Sequence, residues 1–200
     1  KRSAREIPAA TQLFTPDRIC SCLVENSVGR LWMESDPYSA LAESMDYYIA
    51  PEEGDAPVGL TVTGADQITV DDPCCGSGHM LACAFDLLCA MYEEEGRLPE
   101  DCPELVLTHN LSGLEIDPRA AEICRFALEM KARERDPRWF DKGIDPDVNV
   151  LAPVRFTAAE LARLPEVHRR KALVDAFAHL DEVGSLYVPD PADLPAVKAD

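Results

Sequence analysis

Val70-Asp71-Asp72-Pro73-Cys74-Cys75-Gly76-Ser77-Gly78-His79-Met80-Leu81 passes from strand to glycine turn to helix in a single short stretch. The residues leading into it, Gln67-Ile68-Thr69-Val70, are apolar and β-branched, as a buried parallel strand should be. Asp72 stands at the carboxyl end of that strand. Gly76 and Gly78 tolerate positive φ and let a ligand approach the main chain where a Cβ would obstruct it. From Met80 the apolar period changes to about 3.6 residues. Met80, Leu81, Ala84, Phe85, Leu88, Met91 and Tyr92 then share one helical face. Ligands of open α/β sheets sit outside the carboxyl ends of the strands, which makes this turn the candidate binding loop.

Downstream, Glu93 to Pro103 is acidic and proline-bearing and reads as a solvated insertion. Leu111-Ser112-Gly113-Leu114-Glu115-Ile116 reads as a second parallel strand, with Asp117 capping and Pro118 opening the next helix. That helix buries Ala121, Cys124, Ala127 and Leu128 and stops at Asp136-Pro137. A right-handed crossover puts the second strand beside the first. Val148 to Leu151 is the third strand, and Pro165 starts a helix carrying Leu173, Val174, Phe177 and Leu180. Gly184 to Val188 reads as a short strand or turn, and Pro189 to Asp200 as a loose tail.

Upstream, residues 1 to 13 lack periodicity. Thr15 is placed to cap a helix whose first position suits Pro16, and Ile19, Leu23, Val24, Val28, Leu31 and Trp32 form its apolar stripe. Leu41 to Ile49 has helical character, and Pro51 to Gly59 is an acidic loop. The predicted organisation is an N-terminal helical segment (1–66), a partial Rossmann-like α/β domain with a mainly parallel sheet (67–188), and a tail (189–200).

Composition narrows the function. At 200 residues the chain is one domain by size and buries roughly 70% of its unfolded surface. A formal net charge of −18 opposes a phosphate backbone, which predicts little direct DNA binding. No apolar run is long enough to cross a membrane and no signal peptide is visible, so the reading is soluble and cytoplasmic. The eight cysteines include no C-x-x-C pair and read as reduced core thiols, with no metal site.

Residue chemistry then separates the ligands that use such a turn. A P-loop requires a lysine to meet the β- and γ-phosphates, and no lysine lies between Val70 and Met130. A dinucleotide fold requires a third glycine where Leu81 stands, and Asp72 would face a doubly negative pyrophosphate. S-adenosylmethionine carries an ammonium, a carboxylate and a cationic sulfur. Asp72 suits the ammonium, and backbone N–H groups around Gly76 to Gly78 and the helix start suit the carboxylate. Glu115, at the end of the next strand, is placed to accept both ribose hydroxyls, and Ile116 to lie on the adenine face. The plainer alternatives are a helix-capping role for Asp72 and a solvated strand end for Glu115.

Asp72-Pro73-Cys74-Cys75-Gly76-Ser77-Gly78-His79-Met80-Leu81 resembles the first cofactor motif of amino-methylating DNA methyltransferases, D-P-[AC]-C-G-S-G-x-[FM]-L. Gly113 to Pro118 resembles their second motif, and Phe14-Thr15-Pro16 resembles the F/Y-T-P that opens a helix ahead of it. The order, together with Leu23 to Trp32 and Gly184-Ser185-Leu186, is similar to the N6-adenine enzymes of phage-exclusion and fused type II restriction-modification systems. The resemblance implies a class I methyltransferase fold and S-adenosylmethionine as cofactor. It also implies contacts from Thr15, Pro16, Asp72, Pro73, Cys74, Gly76, Gly78, Glu115 and Ile116.

The family transfers its methyl group with [DNS]-P-P-[YFW], and this sequence has no Pro-Pro. Ser35-Asp36-Pro37-Tyr38 is the nearest string and reads as a turn. After the third strand, Ala152-Pro153 stands where a polar contact to the cofactor adenine is expected. No catalytic residue and no target-recognition domain is therefore assigned. The resemblance implies a cofactor-binding N-terminal half of a DNA adenine methyltransferase, which would reach DNA through parts outside this chain. The alternatives are a non-catalytic module used for assembly or regulation, or a methyltransferase of protein or RNA.

Overall fold

The computed structural model describes residues 15–52, 54–57, 59–143 and 148–152. The helix expected from Pro165, the segment Gly184 to Val188, the tail and Phe14 lie outside the described residues. Three parallel strands form one sheet in the order β1 (Val70–Asp72), β2 (Leu111–Leu114), β3 (Val150–Leu151). Val70 pairs with Leu111, Asp72 with Gly113, and Gly113 in turn with Val150. The adjacent parallel pairing expected from the crossover rule is thus present, in a mixed α/β architecture.

The first strand starts three residues later than the apolar run suggests. Ala65–Gln67 forms a 3-10 turn, and the carbonyls of Ala65 and Ile68 accept hydrogen bonds of 2.7 and 2.6 Å from the buried Asn110 side-chain amide. A side chain here satisfies carbonyls that a longer ladder would have paired, and Tyr92 completes the cluster by donating to Asn110 Oδ1 at 3.1 Å.

The N-terminal helix is continuous in path but not uniform. The α1 helix (Asp17–Val24) passes through a π-helical turn, Glu25–Gly29, into α2 (Arg30–Ser35). The cap expected of Thr15 is displaced by one residue. Pro16 is the N-cap, with ψ 142°, no side chain caps the helix, and the Pro16 carbonyl accepts from Ile19 and Cys20 N–H. The buried face also turns: Cys20, Val24 and Trp32 are inside, whereas Ile19 and Leu23 are 44% and 52% exposed. Leu41 to Ile49 holds only a 3-10 turn at Leu41–Ser44. Ser35 ends α2, and Asp36 to Tyr38 forms a turn in which Asp36 Oδ1 accepts Tyr38 N–H at 3.0 Å.

Helix α3 (His79–Glu94) is the hub. Leu81, Phe85, Leu88 and Met91 are fully buried, each contributing about 1.5–3 kcal/mol of burial free energy. One apolar cluster joins these residues to Val24 and Trp32 of the N-terminal helices and to Cys124 and Leu128 of the helix that follows β2. The connection after α3 carries a short α4 (Cys102–Leu105) and a π turn (Val106–Asn110), so it is more ordered than its acidic composition suggests. Its apolar residues explain this, since Cys102, Val106 and Leu107 are wholly buried. Helix α5 (Pro118–Arg135) begins as expected, with Asp117 accepting Arg119 N–H at 3.1 Å and Pro118 in the first turn. Lys131 ties it to Asp86 of α3 at 2.6 Å, and Arg135 pairs with Glu93.

Candidate functional site

The carboxyl ends of β1 and β2 meet at the glycine turn. Asp72 ends β1, half-buried, and its Oδ1 accepts the Cys74 N–H at 3.1 Å, an Asx turn that bends the chain at Pro73. The turn is then sewn to β2: Cys75 N–H donates to the Leu114 carbonyl at 3.1 Å, and Gly76 N–H to Glu115 Oε2 at 2.8 Å. The other Glu115 oxygen accepts Asp117 N–H at 2.8 Å. At 7% exposure, Glu115 is a buried carboxylate with both oxygens engaged by backbone donors. Each oxygen keeps a second lone pair for a further donor.

Both loop glycines have positive φ, 56° at Gly76 and 86° at Gly78. Their surroundings differ. A Cβ at Gly76 would meet nothing within 4 Å, which leaves room for a ligand against the main chain. A Cβ at Gly78 would lie 2.4 Å from Cys124 Sγ, so the close approach there is to α5. The same tight packing holds at Gly113, where a Cβ would come within 2.9 Å of Leu81 and 3.1 Å of Cys75 Sγ.

The backbone donors also differ from the expectation of free amides at the glycines. Gly76 N–H is held by Glu115 and Gly78 N–H by the Cys75 carbonyl at 2.8 Å. The donors left to face a ligand belong to the first turn of α3, where helical N–H groups have no intrahelical acceptor. Ser77 Oγ lies 3.2 Å from His79 Nδ1 at that helix start.

The sequence-derived residues are partly gathered. Asp72, Pro73, Cys74, Gly76 and Glu115 belong to one hydrogen-bonded unit, with Cys74 exposed on its surface. Ile116 is 40% exposed just beyond Glu115. Thr15 and Pro16 are exposed at the start of α1, and Asp17 Oδ1 lies 4.0 Å from His79 Nε2. That contact brings the opening of α1 beside the opening of α3. Sequence reasoning did not single out Asp17 or His79, because a pairing across so many residues leaves no spacing to read.

No protein-family model matches the chain. It is 43% identical over 165 residues to the "Adenine-specific methyltransferase BrxX" of Escherichia coli O9:H4 (strain HS), which covers 79% of this chain and 14% of that protein. It is 39% identical over 160 residues to the "Adenine-specific methyltransferase PglX" of Lacticaseibacillus casei (strain Zhang), covering 74% of this chain and 13% of that protein. The chain is homologous to part of these adenine-specific methyltransferases. It spans about one-seventh of the length of BrxX, so the activity of that protein is a property of a much longer chain.

Cys74 and Cys75 stand in the loop, and Cys124 packs against its Gly78. All eight cysteines are free, and Cys20, Cys75, Cys89, Cys102 and Cys124 are buried, as expected of core thiols, whereas Cys74 is exposed. Burial pushes the Cys20 and Cys83 thiols up from their ordinary values. No helix among the described residues is long and apolar enough to cross a membrane.

Proposed function

We propose that this chain is an S-adenosylmethionine-binding part of an adenine-specific DNA methyltransferase of the phage-exclusion branch. The observation that carries the reading is the open-sided turn at Gly76, set at the carboxyl end of β1 and tied to Glu115 at the end of β2. A cradle that a Cβ would fill, flanked by two carboxylates, fits a ligand with a cationic amino-acid end and a ribose. In this assignment Asp72 pairs with the ammonium, and the first turn of α3 takes the carboxylate. The remaining lone pairs of Glu115 accept the ribose hydroxyls, and Ile116 lies against the adenine. Thr15 and Pro16 reach the methionine end, beside the Asp17–His79 contact. When bound, the cofactor supplies an electrophilic methyl group on its sulfonium.

Nothing in these 200 residues supplies the [DNS]-P-P-[YFW] motif that would position an adenine amino group. The acidic surface also disfavours DNA. The chain alone therefore takes up cofactor without methylating DNA, and duplex contacts fall to other parts of a longer protein. Isothermal titration calorimetry with S-adenosylmethionine on wild type and Asp72→Ala tests the reading. Losing a charged hydrogen-bond partner should weaken binding about tenfold or more. Equal affinities would remove Asp72 from the site, and tritium transfer to duplex DNA by this chain alone would overturn the division of labour.

A further inference from the structure

Two helices open side by side at the glycine loop, and one imidazole stands between their first residues. His79 opens α3 and Asp17 opens α1. Three contacts fix how these helices lie together. His79 Nε2 is 4.0 Å from Asp17 Oδ1, Ser21 Oγ is 3.8 Å from Cys83 Sγ, and the Trp32 indole N–H donates to Glu94 Oε2 at 2.8 Å. All three join residues of the same sequence separation, so the N-terminal helices run parallel to α3 and in step with it from one end to the other. Thr15 and Pro16, the pair just before α1, therefore stand level with Ser77 and Gly78, the pair just before α3.

The imidazole has a partner on each side of this junction. Its Nδ1 lies 3.2 Å from Ser77 Oγ in the loop, and its Nε2 faces the Asp17 carboxylate. A ring that accepts from Ser77 at Nδ1 carries its proton on Nε2, aimed at Asp17, and an imidazolium presents the same donor. On the α1 side, the Cys20 thiol donates to the Thr15 carbonyl at 3.8 Å and holds the residues ahead of the helix against its first turn.

We propose that Asp17 and His79 are a positioning pair, which holds Thr15-Pro16 opposite the first turn of α3 and so sets the slot for the amino-acid end of the cofactor. This role rests on the S-adenosylmethionine assignment above and extends it to two residues that the assignment does not use.

The reason is local. The first-turn N–H groups of α3 form one wall of the slot, since they have no intrahelical acceptor. The exposed Thr15-Pro16 forms the other. Pro16 has no N–H with which to anchor that wall, and the contact made by Asp17, the next residue, ties it to α3. The adenosine half of the cofactor is assigned to Glu115 and Ile116 at the end of β2, so loosening the pair should act on one half of the ligand only. With side-chain exposures of 40% for His79 and 87% for Asp17, the pair is solvated and its effect modest.

The test is isothermal titration calorimetry of the full chain with two ligands, S-adenosylmethionine and methylthioadenosine, which keeps the adenosine and the sulfur but lacks the amino-acid end. Asp17→Asn and His79→Gln should each bind S-adenosylmethionine about two- to fivefold more weakly than wild type. The double variant should bind no more weakly than the weaker single variant, because both remove one interaction. Asp17→Glu keeps the carboxylate and should keep the affinity. Methylthioadenosine should bind alike across the series. Equal losses for both ligands would make the pair a general support of the fold, and additive losses would make the two residues independent; either result overturns the proposal, as does a variant that circular dichroism shows to be unfolded. A wild type that binds neither ligand overturns the cofactor assignment and this role with it. A wild type that binds both, with every variant unchanged, overturns the role alone.

Discussion

Gly76 and Gly78 share one turn and one sign of φ, yet one faces open space and the other a cysteine sulfur. The front of the loop, at Gly76, is shaped by what is absent there. The back, at Gly78, is shaped by α5, whose Cys124 leaves no volume for a side chain. A glycine motif is therefore not uniformly a ligand motif. One glycine keeps the approach to the main chain clear, and the other lets a helix seat the loop against the core.

This contrast breaks most readily at the back. Gly78→Ala adds a methyl group to a left-handed residue and drives it into Cys124, which should cost about 2–4 kcal/mol of stability. Urea denaturation measures the loss, and a change under 1 kcal/mol would mean that the back of the loop is not packed as described. Gly76→Ala meets only the backbone penalty of roughly 1–2 kcal/mol and should fold while binding S-adenosylmethionine more weakly. Equal effects of the two substitutions on stability would erase the distinction.

Glu115→Gln sharpens the front. The amide keeps one acceptor for a backbone N–H but loses the charge that engages both Gly76 and Asp117. A cofactor affinity reduced about tenfold to a few hundredfold is expected by calorimetry, with stability lowered by about 1–3 kcal/mol. Stability lost with affinity unchanged would make Glu115 a structural clamp only.

The smallest effect lies far from the loop, at the other end of α3. Burial pushes the Glu94 carboxyl up, but the hydrogen bonds it accepts from Ser39, Trp32 and the Ala40 N–H outweigh this and leave it below its ordinary value. A carboxylate lowered in the folded state adds stability that is present above its unfolded value, about 4.3, and is lost as pH falls through the folded one. Glu94→Gln should therefore destabilise the chain at neutral pH, with the difference from wild type narrowing below about pH 4 in acid-denaturation curves. A difference that stays constant with pH would contradict the assignment.

Much of this was legible in the sequence, for physical reasons that can be named. The turn from Val70 to Leu81, the Asp117-Pro118 helix start and the adjacent parallel strands follow from period, capping chemistry and chain handedness, all of which are local or nearly so. What escaped reading depends on distant partners. Asn110 shortened the first strand by taking the carbonyls of Ala65 and Ile68, and the π turn at Glu25–Gly29 rotated the N-terminal helix so that Leu23 faces outward. In the candidate site, the acids and glycines were visible as residue types at fixed places. The capture of Gly76 N–H by Glu115 was not, because it joins two loops whose separation only the fold closes.

Hydrogen–deuterium exchange of the chain with and without S-adenosylmethionine tests the central assignment most directly. Slowed exchange is expected at residues 72 to 82 and 115 to 117 on cofactor addition, with little change in the second half of α5. Unchanged exchange at the glycine loop under saturating cofactor, or protection confined to residues elsewhere, would contradict it.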